Sequence, residues 1–145
     1  MTAIQTLKDQ HREIEQLFKR IASGNGDRER WLDELAGMLR VHTRIEETIF
    51  YPALKEHPKA KDLVLEAYEE HDVVNMVMAE VDETPFDDET WGARFIVMKE
   101  NLEHHIEEEE SEMFDQCRDI FDAAELQELG VAMEARKEEL DRAHA

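Results

Sequence analysis

Seven histidines and a large excess of carboxylates are the groups of this 145-residue chain with chemistry to offer. Two histidine–glutamate pairs at a spacing of four residues stand out: His42 with Glu46, and His105 with Glu109. In a helix that spacing is just over one turn, so each pair stacks on one face. An imidazole nitrogen and a carboxylate oxygen on one face can bind the same cation. Whether they face inward is a matter of angle. At about 100° per residue, Trp31, Leu35, Met38, Ile49 and Ala53 lie within about 40° of His42, and so does Glu46. With Leu102 at zero, Phe95, Met98, Ile106, Glu109 and Met113 fall within about 40°, and His105 near −60°. Both pairs therefore point into apolar stripes.

A carboxylate facing a helical core costs several kcal/mol unless something positive compensates it. A bound cation compensates both at once. Two further histidines sit on apolar faces: His11 among Leu7, Ile14 and Phe18, and His71 among Val64, Ala67, Val74 and Met78. A single such histidine is more often a core residue with a hydrogen-bond partner. Four helices each aiming one inward, two with a glutamate a turn later, make a metal site. The candidate ligands are His11, His42, Glu46, His71, His105 and Glu109. Three histidines serve as contrasts. His104 shares the i,i+4 spacing through Glu108, yet lies about 160° from Leu102, on the solvent side. His57 precedes Pro58, and His144 is next to last; both are expected at the surface.

The elements that must hold these residues are helices. Only 5 Gly and 3 Pro are present, and they fall at breaks: Ser23 to Asp27, His57 to Lys59, and Asp82 to Asp88 around Pro85. The segments between are rich in strong helix formers. The spacing predicts helices over about 2–22, 28–56, 60–82, 88–115 and 122–142, with Pro52 ending or kinking the second. No stretch alternates with period two, so no sheet is expected. The fold class is all-α: an up-down-up-down four-helix bundle with a short additional C-terminal helix. The two halves look related, since Leu39, His42, Glu46 and Glu47 recur 63 residues later as Leu102, His105, Glu109 and Glu110.

Residues 1–145 fit a single domain, long enough to bury a core unaided. Asp and Glu total 37 against 17 Lys and Arg, a formal net charge of −20. Nucleic acids and anionic membranes would repel such a chain, whereas cations would be drawn to it. A lone cysteine, Cys117, excludes an internal disulfide framework and a thiolate zinc cluster. With no apolar span and no secretory leader, a cytoplasmic location is expected.

Six donors exceed the needs of one tetrahedral ion and suit two ions sharing carboxylates. Imidazole and carboxylate without thiolate favour iron, with manganese or zinc possible. No histidine has a glutamate three residues before it, which argues against the Glu-x-x-His pattern of ferritin-like di-iron proteins. Four segments carry a resemblance: Asp9-Gln10-His11-Arg12-Glu13, His42-Thr43-Arg44-Ile45-Glu46-Glu47, Glu70-His71-Asp72, and His104-His105-Ile106-Glu107-Glu108-Glu109-Glu110. In their order and separation the chain resembles the hemerythrin family, specifically the HHE cation-binding domains. The resemblance implies two iron ions bridged by the two carboxylates and by an oxygen species from solvent.

The chain departs from the oxygen-carrying hemerythrins at two places. Asn75 stands where they place a second histidine on the third helix, and Glu110 where they use an aspartate; Glu109 better fits the HHE spacing and the inward face. Six ligands are thus expected, with Asn75 turned toward one ion and leaving it an open position. The function expected is binding of iron to sense or handle oxygen, nitric oxide, peroxide or iron itself. The alternative is a di-iron enzyme of peroxidase, catalase or oxidase type using the same site.

Overall fold

The computed structural model describes residues 1–24 and 26–143. His144 lies outside them. Five helical rods account for most of the chain, and no strand occurs among the described residues. Helix α1 spans Ala3–Ala22. The second rod is α2 (Arg28–Ile45), a π-helical turn π1 (Glu46–Phe50) and α3 (Tyr51–Lys55), without a break. Helix α4 spans Lys61–Glu83. The fourth rod repeats the pattern of the second: α5 (Trp91–Glu108), π2 (Glu109–Met113) and α6 (Phe114–Ile120). The last is α7 (Ala123–Ala143).

Local signals explain where these rods begin. The Thr2 hydroxyl accepts from the Gln5 amide while the Gln5 side chain accepts from the Thr2 amide, satisfying two orphan donors reciprocally. Asp27 caps α2 through Arg30. Asp122 and Glu125 exchange the same reciprocal bonds at the start of α7. The fourth rod starts three residues later than expected because the Asp88 carboxylate binds the amide and hydroxyl of Thr90, holding a turn there. It also runs five residues longer, since nothing between Glu109 and Ile120 breaks a helix; extended backbone at Phe121 ends it. Pro52 does not end the second rod. It is the second residue after π1, where the regular i→i−4 ladder is already interrupted, so its missing N–H and its ring are accommodated.

α1 packs along α2, and α4 along α5, as two helical hairpins. α7 lies against α1, α2 and π1. Its 21 residues lie within one position of the expected bounds at each end; that makes it about as long as α1 and shorter than the second and fourth rods. Gly130 shows how closely it docks: a β-carbon there would collide with the backbone of Met1, Thr2 and Ala3.

The apolar interior is in two parts. One gathers Leu7, Ile45, Phe50, Leu54, Ala67 and Phe114 among others; the second gathers Ile14, Leu35, Leu39, Val74, Met98 and Leu102. Between them runs a layer that is polar and yet buried. His11 follows Leu7 and precedes Ile14, His42 lies between Leu39 and Ile45, and His71 between Ala67 and Val74.

Candidate metal centre

All six sequence-derived residues meet in that layer. His11, His42, Glu46, His71, His105 and Glu109 are each no more than 2% exposed. They form two groups with donor atoms close enough to hold an ion: His11, His42, Glu46 and Glu109, and Glu46, His71 and His105. Glu46 belongs to both. Its Oε1 lies 3.2 Å from His42 Nε2 and 3.1 Å from His71 Nε2. Glu109 spans the halves differently, with Oε1 3.1 Å from His11 Nε2 and Oε2 3.3 Å from His105 Nε2. The two carboxylates are placed as bridges between two pairs of imidazoles.

The second rod presents His42 and Glu46 on one face because α2 is regular up to Ile45; α5 does the same for His105 and Glu109. Beyond each glutamate the helix widens. The Tyr51 amide donates to the Glu46 carbonyl, and the Phe114 amide to that of Glu109, each five residues back. One extra residue in the turn rotates the rest of the rod by about 100° relative to a regular helix. Tyr51, which a regular helix would set about 140° from Glu46, is thereby brought round to the same interior. It is fully buried. Its hydroxyl donates to Glu109 Oε2 at 2.7 Å and lies 3.2 Å from His71 Nε2 and 3.4 Å from His105 Nε2. Sequence reasoning missed it because a uniform 100° step puts it on the wrong face. Phe114 swings inward likewise and stacks on His11, with centroids 6.2 Å apart and planes 11° from parallel.

Three histidines have their outer nitrogen fixed. Nδ1–H of His11 donates to Glu110 Oε2 at 2.7 Å, that of His42 to Gln10 Oε1 at 2.6 Å, and that of His105 to Glu70 Oε1 at 2.7 Å. Acceptors on Nδ1 leave the Nε2 lone pair facing inward, the tautomer a metal ligand needs. Arg12 grips Glu110 through Nη2 and anchors it. Glu110 thus acts from outside, on His11, in keeping with the preference for Glu109 at the inner position. His71 differs: its Nδ1 has no hydrogen-bond partner, and Glu47 stands 3.6 Å away.

Asn75 corrects an expectation. It is exposed and does not face the centre. Val74 takes the inward place on α4 after His71, and an extra 40° carries Asn75 past the interior. The contrast residues behave as their angles require in one case. The His104 side chain is 67% exposed and pairs with Glu108 at 3.1 Å. His57 is half-buried, edge-on against Phe121.

The electrostatics describe a site short of positive charge. Burial pushes the Glu46 carboxyl up, but attraction to His42 and the close approach of its other neighbours outweigh it and hold the group well below the usual range. Burial likewise opposes protonation of His11, and Glu109 and Glu110 override it, raising the imidazole to about 9. His71 and His105 are raised against burial by Glu46 and by Glu109 respectively. In the metal-free chain, protons on imidazoles neutralise carboxylates that water cannot reach. They do so incompletely. His42 Nε2 and both oxygens of Glu46 are buried without a properly directed hydrogen bond, although His42 Nε2 and Glu46 Oε1 are only 3.2 Å apart. Lone pairs that converge without pairing are what a cation satisfies. The donor set fits one, and no cysteine takes part: Cys117 is buried, its thiol pushed up to about 12 by that burial.

Among the described residues no helix is long and apolar enough to cross a membrane. Residues 2–117 match the family model described as Hemerythrin HHE cation binding domain. The chain is 30% identical over 144 residues to uncharacterised proteins of Mycobacterium tuberculosis and Mycobacterium bovis, covering 97% of this chain and 88% of each relative. It is similar to a crystal structure of a Hemerythrin HHE cation binding domain-containing protein, the Rv2633c homolog from Mycobacterium kansasii. The TM-score is 0.89 at 32% identity, over 99% of this chain and 89% of that one. With an all-helical fold, a buried cluster of four histidines and two glutamates, and a family model matched over most of its length, the chain belongs to the hemerythrin HHE cation-binding domain family.

Proposed function

We propose that this chain is a non-haem di-iron protein that senses or handles oxygen, nitric oxide, peroxide or iron. His11 and His42 are assigned to one iron, His71 and His105 to the other, and Glu46 and Glu109 to both. The observation that carries the reading is the sharing of two buried carboxylates between two pairs of converging Nε2 atoms. One ion would leave one pair of imidazoles and half of each carboxylate unused. Nitrogen and oxygen donors without thiolate suit iron, and also admit manganese or zinc. The reading takes the chain as one domain whose four long helices run up-down-up-down around the site, and the two packed hairpins support that order.

When bound, such a pair of ions would supply electrons and Lewis acidity to a small ligand. The protein's own residues set the conditions for it. Gln10, Glu70 and Glu110 hold three imidazoles in one tautomer and orientation. The apolar clusters above and below the layer exclude bulk water. A surface cavity of about 290 Å³ between α1, α2 and α7 is lined by Gln10 and His42, and so comes up to the outer side of one imidazole.

Anaerobic titration with ferrous iron, followed by elemental analysis, tests the reading. Two irons per chain are expected, with a rise in thermal stability because the metal binds the folded site alone. One ion or none after loading would overturn it.

A further inference from the structure

We propose that Tyr51 is a seventh protein donor, binding through its phenol oxygen on the His71/His105 side of the centre and leaving the His11/His42 side with fewer donors. The inference rests on the di-iron reading and adds a residue to it. Atoms bound to one octahedral ion at about 2.1 Å lie about 3 Å from one another. The atoms on this side have that separation: His71 Nε2 to His105 Nε2 is 3.1 Å, and His71 Nε2 to Glu46 Oε1 is 3.1 Å. The Tyr51 oxygen joins the same set at 3.2, 3.4 and 2.7 Å from His71, His105 and Glu109. A tyrosine that served only to hold Glu109 would need one such contact. This one faces three donor atoms.

The other half of the chain gives the contrast. Phe114 stands after π2 where Tyr51 stands after π1, is equally buried, and offers a ring with no donor against His11. The two halves match in His and Glu and differ at this interior place. Binding of the phenol breaks its O–H bond and forms an oxygen–metal bond, and the proton leaves to solvent. No electron moves in that step.

The chain has only two tyrosines, which makes the test direct. The second, Tyr68, is half-buried and donates to the Glu47 carbonyl, away from the donor set. The full chain is loaded anaerobically with ferrous iron, assayed for metal, and oxidised in air. Visible absorption and resonance Raman spectra are then recorded for the unmodified protein, Tyr51→Phe and Tyr68→Phe. The expected result is a phenolate-to-ferric charge-transfer band with enhanced tyrosine ring modes, kept in Tyr68→Phe and lost in Tyr51→Phe. An unmodified protein holding two irons but lacking those modes overturns the inference and leaves the di-iron reading standing. Failure to hold two irons at all overturns both. Should Tyr51→Phe not fold, the unmodified and Tyr68→Phe spectra still decide the matter. Loss of the modes in Tyr68→Phe would place the phenolate at the wrong residue and overturn the assignment.

Discussion

Tyr51 and Phe114 occupy equivalent places 63 residues apart, each the first residue beyond a π-helical turn that opens on a buried glutamate. Each is turned into the interior by its wide turn, one toward His71 and His105, the other onto His11. The centre is thus nearly two-fold in its histidines and glutamates and one-sided in the aromatic residue beyond each glutamate.

Neighbouring histidines should behave oppositely. His105 is buried among Glu46, Glu70 and Glu109, whereas His104 is mostly exposed against Glu108. His105→Ala should reduce bound iron from two per chain to about one, measured by elemental analysis after desalting. His104→Ala should still hold two. Equal losses would show that the face of α5 has been assigned wrongly.

The outer partners should matter without touching metal. Glu110→Gln and Glu70→Gln weaken the acceptor on His11 and His105, and each should lower metal affinity by about 10–100-fold. Arg12→Ala acts one bond further out, through Glu110, and should cost less. Competition with a chelator of known affinity reads all three. Unchanged affinities would mean that the imidazoles are oriented by packing alone.

Without metal, the protein should lose stability as the solution becomes alkaline. His11 is raised in the folded chain to about 9 from an ordinary 6.5. A group so raised stabilises the fold fully below 6.5, and that contribution disappears as pH climbs toward 9. His71 and His105, raised in the same direction, add to the loss. Glu46 works at the acid end: its lowered value gives stability above about 4.5 that is lost as pH falls below it. Melting temperatures of the metal-free chain should therefore fall from pH 6.5 to 9. A flat or rising profile would contradict the neutralisation of the buried carboxylates by imidazole protons.

Asn75→His should change nothing. The side chain points to solvent on α4, so a histidine there cannot reach either half of the centre. Metal content and the visible spectrum of the oxidised protein should match those of the unmodified chain. A new imidazole signature at the metal would show that α4 can rotate.

Much of the centre was legible because it obeys a constant angle. His42 and Glu46 precede the widening of their rod, as do His105 and Glu109 of theirs, so a step of about 100° located all four. His11 and His71 were legible for the same reason, each inside a regular helix with apolar neighbours three or four residues away. Where the angle changes, the reading fails. A π-helical turn has no composition of its own, so nothing in Glu46-Glu47-Thr48-Ile49-Phe50 announces it, and Tyr51 was invisible as a site residue. Asn75 failed from the opposite cause: an offset of about 40° was counted as inward when the interior lies on the other side of His71, where Val74 sits. The extent of α7 was legible, but its docking was beyond periodicity, because it rests on contacts with α1, more than a hundred positions earlier.

That contact has a consequence for how the chain assembles. Gly130 meets the backbone of Met1 to Ala3, closing a loop of most of the sequence at a large cost in closure entropy. Such a join is favourable only once α1 and α2 have already come together, so it belongs late in folding. Once made, it ties the last helix to the first, and neither end can peel away alone. Amides in the middle of α7 should then exchange with solvent as slowly as those of α1, through opening of the whole molecule, instead of fraying as a peripheral helix would. Gly130→Leu, which forces the two apart, should bring early exchange to α7 and α1 together.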